Sequence, residues 1–401
     1  MSNNVVLITP TFPAFSGNGL SMRAATTLKL LSSWATYVHL LVIPIYPIND
    51  MPEPEIGRLC KSWQMIPGSK HAADMLLDMT FDVQPRTNMP TELASLDFAW
   101  QEKIINAIKL LQPDLIVIFR LYLIPFVIPY INRGIRVWLD ADELESKARS
   151  RIARIYTEAG NEKKAEQLTV EANAYANVES KCLPFFDRVF ASSEKEVKAI
   201  IDVCPNIDAR VLPNVYPRVL PQSPKTLNGS VHFLYVGSFG YYPNRDAINF
   251  FAKDILPVIK SCCSLQIMVD IVGTGLGAMD DLAVSPELRF IGTVDDVSPY
   301  YQDCDVVIVP LRAAGGTRIK ILEAFSHKRA VVSTEIGAEG LELTAGNELF
   351  VASSAQDFAE CCLRLIENDE LRNNLASRGH QFFIQNNTVA KIEEMVPQLF
   401  M

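Results

Sequence analysis

Two doubly wound α/β domains, each a mostly parallel sheet covered by helices and facing the other across a cleft, form the fold that the sequence predicts. Three observations lead there. The chain has 401 residues, too long for one ordinary domain, and its 49% hydrophobic and 21% charged residues make a globular composition with ample core. Apolar runs of strand length alternate with helix-length stretches, the βα rhythm of a parallel sheet, and the rhythm occurs twice. Between the two series, LPNVYPRVLPQSPK from Leu212 to Lys225 places four prolines among few helix or strand signals, as a linker does. The expected domains are 1–215 and 216–385, with a C-terminal tail, 386–401, placed to pack back on the first.

In the first half the strand-like runs are Val5 to Thr9, Tyr37 to Ile43, Leu115 to Phe119, Arg136 to Leu139 and Arg188 to Ala191. Pro52 to Thr91 has mixed polarity and scattered prolines and takes no assignment. Ala141 to Lys181, rich in Ala, Glu and Lys, reads as one or two long surface helices. The longest greasy stretch, Leu115 to Ile131, approaches the length of a short membrane span. It contains Arg120, Pro125 and Pro129, so a buried strand followed by a helix is expected.

The second half restarts with strands at Val231 to Val236, Leu265 to Val272, Arg289 to Ile291, Val306 to Pro310 and Ala330 to Ser333. Helices are expected at Ala247 to Lys260, Val297 to Asp303, from Thr317 onward, at Ala355 to Glu367 and at Glu370 to Gln385.

Charge and composition exclude several classes of function. A net charge of −9 and a pI near 5.2 argue against a protein built to bind nucleic acid. The eight cysteines include no CxxC pair and two adjacent doublets, which suits reduced thiols in a cytoplasmic protein. MSNNVVLITP has no basic region before its apolar run and reads as a first strand rather than a signal peptide. His39, His71, His232, His327 and His380 make no metal-ligand spacing, so no metal or cofactor is expected. No GxSxG element or Walker motif points to a hydrolase or an NTPase.

The most informative segment is DVVIVPLRAAGGTRIKILE, from Asp305 to Glu323. A buried strand leads through Gly315 and Gly316 into a helix carrying Arg318, Lys320 and Glu323, with Thr317 as its cap. Glycines permit close backbone approach, and the unpaired N–H groups of a helix start favour an anion. Lys320 and Glu323 share one helix face, and from Thr317 to Glu323 the axis rises roughly 9 Å at about 1.5 Å per residue. A nucleoside diphosphate fits that span.

Other strand-loop-helix units carry Gly17 and Gly19 after the first strand, and Gly237, Ser238 and Arg245 after the first strand of the second half. Gly17 and Gly19 either bring backbone N–H groups to a phosphate or turn the chain, and Arg245 either reaches the phosphates or is solvated. VGTGLGAM, with Gly273, resembles a dinucleotide fingerprint only superficially, because no crossover helix of the right length follows. It reads as a loop lining a nucleotide pocket.

In order, YVGSFGYYPNRDAINFFAKDILPVI, IVGTG, RFIGTVDDVSPYYQDCDVVIVPL, GGTRIKILEAF and AVVSTEIGAEGL resemble the C-terminal domain of family 4 glycosyltransferases with the GT-B fold, over about Val231 to Arg378. The N-terminal half resembles the family more loosely, through the Gly17 and Gly19 loop, WLDADELESKARSRI and the ASSEKE and LPNV segments. The resemblance implies a retaining transfer from a nucleotide-sugar donor, held by the C-terminal domain, to a glycan or lipid-linked saccharide acceptor on the N-terminal one. It also implies that Glu323 takes the ribose hydroxyls and that Lys320 and Arg318 offset charge on the leaving diphosphate, with no metal.

The chain departs from the family at three places. The first of the family's paired glutamates falls at Gly315, the arginine after the first C-terminal strand falls at Ser238, and the histidine of the N-terminal half falls at Arg120. Arg120 is placed to bind an anionic group on donor or acceptor. Asp142 is the leading acid near the acceptor, with Asp140 and Glu145 beside it, although a capped helix start explains these acids too. A peripheral membrane contact stays open through the basic residues Lys147, Arg149, Arg151 and Arg154. So do two other classes of function, an inactive glycosyltransferase-like scaffold and a nucleotide-sugar epimerase.

Overall fold

The computed structural model describes residues 4–44, 53–67, 98–275, 285–315 and 318–401. Among these the chain divides into two units, Met1–Asn214 together with Ile392–Met401, and Val215–Lys391.

In the first unit the strands are β1 (Asn4–Thr9), β2 (Tyr37–Val42), β3 (Ser62–Met65), β4 (Leu115–Phe119), β5 (Arg136–Asp142), β6 (Arg188–Ala191) and β7 (Ala209–Val211). Their order is β3-β2-β1-β4-β5-β6-β7 and every pairing is parallel. Every residue of β4 is buried, as an inner strand covered on both faces must be. The second unit repeats the plan with β8 (Ser230–Val236), β9 (Gln266–Val272), β10 (Leu288–Gly292), β11 (Val306–Val309), β12 (Ala330–Ser333) and β13 (Phe350–Val351). Its order is β10-β9-β8-β11-β12-β13, again all parallel. Both sheets are Rossmann-like. The strand order reverses between β1 and β4 in one and between β8 and β11 in the other, and ligands of such sheets bind beyond the strand ends at that switch.

Several elements differ from the sequence expectation for physical reasons. The segment after β4 forms two 3₁₀ turns, Leu121–Phe126 and Ile128–Tyr130, instead of an α-helix, because Pro125 and Pro129 lack the N–H groups an α-helix needs. The helix expected from Ala247 begins at Tyr242, widens into a π turn at Phe251–Ile255 and resumes at Leu256–Cys262. Pro257 has no N–H to offer Lys253, so the regular ladder breaks there. The stretch from Ala141 to Lys181 forms two helices, Glu145–Glu158 and Glu162–Cys182. Of the unassigned interval Pro52 to Thr91, the described part holds a helix, Pro54–Leu59, and β3, while the rest lies outside the described residues. Among the described residues no helix is long and apolar enough to cross a membrane.

The last ten residues pack onto the first unit through Phe400. Its ring lies 5.3 Å from that of Trp34 and 5.7 Å from that of Trp138. Arg188 donates to the Leu399 carbonyl at 2.6 Å, closing the edge of the same patch. The segment from Leu212 is tied at both ends. Arg23 donates to the Leu212 carbonyl and, at 3.2 Å, to Asn214 Oδ1 within the first unit, and the Tyr216 N–H donates to the Asn387 carbonyl at 3.1 Å within the second.

Candidate active site

In the second unit the loops after β8, β9 and β11 bring the expected glycines to one end of the sheet. The Gly237 N–H donates to the Val272 carbonyl at 3.0 Å and the Phe239 N–H to the Thr274 carbonyl at 2.8 Å, so the loops after β8 and β9 run against each other. Gly273 has φ +146°, and a Cβ there would lie 1.7 Å from the Gly237 carbonyl oxygen. Glycine is a steric requirement at that contact. Ser238 is exposed, and its hydroxyl accepts from the Thr274 hydroxyl at 3.1 Å.

The helix expected from Thr317 runs Ile319–Ser326, with Arg318 at its N-cap in an extended conformation. Gly316 and Thr317 lie outside the described residues. Arg318, expected to face phosphates, is 6% exposed; its guanidinium donates to the Gly315 carbonyl, and at 3.5 Å to that of Ile336. It therefore shapes the loop it follows. Arg245 lies in the first turn of the helix Tyr242–Phe250, with its guanidinium 5.3 Å from the Tyr242 ring centre.

Lys320 and Glu323 hold the centre. Lys320 Nζ donates to the Tyr235 hydroxyl at 3.0 Å and to Asn244 Oδ1 at 2.9 Å. Tyr235 in turn donates to Asn244 Oδ1 at 2.6 Å, and Asn244 Nδ2 donates to the Ser238 carbonyl at 2.7 Å. An ammonium has three protons; among the described residues two are engaged, which leaves one for a ligand. Burial, and then the neighbouring Arg318, bring the Lys320 pKa down to about 7, against a smaller upward pull from Glu323. Glu323 accepts from the Tyr216 hydroxyl on Oε1 at 2.8 Å and from the Tyr301 hydroxyl on Oε2 at 3.0 Å. Burial raises its pKa, while the two phenol hydrogen bonds and Lys320 oppose the rise. Behind Tyr301 the fully buried His327 stacks at 4.4 Å between ring centres and 5° between planes. Its pKa falls to about 4, chiefly by burial, so it is a neutral platform at physiological pH.

In the first unit the switch point is flanked by the loop after β1 and by the end of β4. Gly17 is exposed with φ +94°, and Gly19 begins the helix Gly19–Trp34, whose cap Asn18 accepts from the Ser21 N–H at 3.0 Å. Arg120 and Asp142 are brought together. Arg120 Nη2 donates to Asp142 Oδ2 at 2.9 Å, and Arg120 Nη1 lies 3.4 Å from Glu145 Oε1 and 3.6 Å from Glu143 Oε1. Burial works to lower the Arg120 pKa and the three carboxylates outweigh it, so the guanidinium stays charged. Both residues have positive φ, 84° and 62°, a strained backbone concentrated at two adjacent strand ends. Asp140 faces elsewhere, into a fully buried pair with Arg23 at 2.8 Å.

Tyr216, Tyr301 and Arg23 carry these arrangements without having been singled out from the sequence. A tyrosine in a proline-rich linker looks like linker, and its match to a carboxylate 107 residues away leaves no local pattern. Among the described residues no group of His, Cys, Asp and Glu side chains is arranged to hold a metal ion.

Comparison with known proteins agrees with this architecture. A sucrose-phosphate synthase from Thermosynechococcus elongatus superposes with a TM-score of 0.71 at 16% identity, covering 99% of this chain and 98% of that one. HepE from Anabaena, in complex with UDP and glucose, superposes with a TM-score of 0.63 at 13% identity, covering 99% and 98%. The chain thus has the GT-B fold, two Rossmann-like units of the kind found in glycosyltransferases.

Residues 230–368 match the model of the family described as glycosyl transferases group 1. The matched stretch lies within the second unit. The lipopolysaccharide core biosynthesis glycosyltransferase LpsE of Rhizobium meliloti (strain 1021) is 31% identical over 106 residues, 26% of this chain. The chain matches 31% of the length of that relative.

Proposed function

We propose that the protein is a retaining glycosyltransferase that moves a sugar from a nucleotide-sugar donor to a glycan or lipid-linked saccharide in cell-surface polysaccharide synthesis. The observation that carries this reading is the pair formed by Lys320 and Glu323 on one face of the helix beyond β11, at the switch point of the second sheet. Lys320 keeps one ammonium proton for a diphosphate oxygen, and Glu323 presents a carboxylate to ribose hydroxyls. Lys320 and the helix start offset charge on the leaving diphosphate, so the reading needs no metal.

A donor phosphate oxygen takes the proton of the acceptor hydroxyl as the glycosidic bond to the diphosphate breaks, leaving the protein to position groups and stabilise charge. In the first unit Arg120 holds Asp142, and we assign this pair to the acceptor side. The reading places the protein in the cytoplasm, with peripheral membrane contact through its acceptor.

The relatives support this reading within their own limits, since the match to LpsE is partial and HepE was seen with UDP and glucose. A panel of UDP, GDP, ADP, CDP and dTDP, screened by thermal stabilisation, tests the donor assignment. The expected result is one nucleotide that stabilises the wild type and fails to stabilise Glu323→Ala. Release of that nucleotide from its sugar conjugate only when acceptor is present separates a transferase from an inactive scaffold, and conversion of donor alone into its epimer would replace the proposal with an epimerase.

A further inference from the structure

Glu323 does not stand alone. Its two carboxylate oxygens each accept one phenol, Oε1 from Tyr216 at 2.8 Å and Oε2 from Tyr301 at 3.0 Å. An ionised carboxylate has about four lone-pair sites. Among the described residues two are taken, one on each oxygen, and one on each oxygen is left. Two acceptors side by side on one carboxylate are the complement of a vicinal diol.

Both phenols are held by structure that does not involve the Glu323 side chain. Tyr301 is fully buried, lies flat on His327, and its carbonyl accepts from Arg329 Nε at 2.6 Å. Tyr216 is 5% exposed and begins a segment tied down by the Asn387, Ser326 and His327 carbonyls, which accept from the Tyr216, Leu220 and Gln222 N–H groups. Burial and then the facing carboxylate raise the pKa of both tyrosines, so they remain donors at any physiological pH.

We propose that Tyr216 and Tyr301 are positioning residues that aim Glu323 at the ribose 2′,3′-diol of the donor, and so make the site select ribonucleotides over 2′-deoxyribonucleotides. The inference rests on the proposed function and deepens it. Without the phenols the carboxylate rotates freely about its last torsion, and the paired acceptors no longer meet a diol in register.

The test compares affinities of the full-length protein for the best-binding ribonucleoside diphosphate and its 2′-deoxy counterpart. Wild type should favour the ribonucleotide about tenfold, the worth of one well-placed hydrogen bond to a charged group. Tyr216→Phe and Tyr301→Phe should each bring this ratio down about threefold or more while leaving 2′-deoxynucleotide affinity unchanged. A role limited to stability would weaken both ligands together. Glu323→Gln separates the failures. If it leaves the ratio intact, the ribose assignment falls, and if it erases the ratio while the phenylalanine variants preserve it, the positioning proposal alone falls. Far-UV circular dichroism and the melting temperature of each variant identify any that fail to fold, and for those Tyr216→Leu or Tyr301→Leu, which also lack a donor, gives the second reading of the same ratio.

Discussion

Lys320 Nζ stands 3.0 Å from the Tyr235 hydroxyl, 2.9 Å from Asn244 Oδ1 and 4.2 Å from the centre of the Tyr235 ring. The ammonium is thus solvated by neutral groups, with the cation Arg318 pushing its pKa in the same direction as burial. Depression to about 7 has two consequences of known sign.

First, a nucleoside diphosphate should bind with proton uptake above neutral pH. The free protein loses the Lys320 proton as pH rises through about 7, whereas the anion restores it. Affinity should fall by up to about tenfold per pH unit in that range, since one proton is linked to binding. The last ionisation of a phosphate, near pH 6, lies below it. Calorimetric titration in buffers of different ionisation heat measures the uptake. Lys320→Arg, which stays charged, should bind without it, and equal uptake in that variant would rule out Lys320 as the source.

Second, folding stability should rise with pH where Lys320 titrates. Below about 7 the residue is charged in both folded and unfolded chains, and the burial penalty is fully felt. Between there and the ordinary lysine value the unfolded chain holds more protons, so stability increases with pH. Denaturant unfolding of wild type and Lys320→Met at pH 7 and pH 9 should show a gain in the wild type that the variant lacks.

Arg23 and Asp140 are each 0% exposed and joined at 2.8 Å, with Thr27 donating a further hydrogen bond to Asp140 at 2.6 Å. Arg23→Met leaves a carboxylate buried without its partner, at a cost of about 3–5 kcal/mol. Adding Asp140→Leu should recover part of that loss. Urea unfolding followed by tryptophan fluorescence reads both, and an equal loss in the single and double variants would show that the ion pair is not the source.

Arg120→Ala should lower kcat about tenfold or more and leave nucleoside diphosphate affinity within about twofold, since a charge-assisted contact contributes on the order of 1.5 to 3 kcal/mol. Turnover assays paired with direct binding separate these quantities. A large loss of nucleotide affinity would move Arg120 from the acceptor side to the donor side.

Gly273→Ala should destabilise the second unit by at least about 1–3 kcal/mol from backbone strain, with the close contact to Gly237 added. Gly229→Ala is the control. It also has positive φ, +76°, but nothing lies within 4 Å of the added methyl. Its cost should stay near 1 kcal/mol with nucleotide affinity unchanged.

The fold was legible because parallel strands buried on both faces leave continuous apolar runs, as at Leu115–Phe119 and Val306–Val309. Among the edge strands β10 was read, at Arg289 to Ile291, but β3, β7 and β13 were not. β3 is mostly exposed, β7 has three residues and β13 has two, so none carries a run long enough to read. At the site, Lys320 and Glu323 could be paired because three residues along a helix is a local relationship. The hydrogen bonds from Tyr216 and Tyr301 span 107 and 22 residues, and only packing brings them together. Arg318 illustrates the converse. Its neighbours in sequence suggested a phosphate ligand, but an extended N-cap turns the side chain back onto the loop carbonyls.

The abutment of Gly273 on the Gly237 carbonyl bears on how this protein can change over generations. The turn after β9 cannot acquire a side chain at Gly273 while the Gly237 carbonyl keeps its present place, so lineages altering the first must also move the second. Diversification is therefore steered away from this crossing and toward exposed positions such as Ser238.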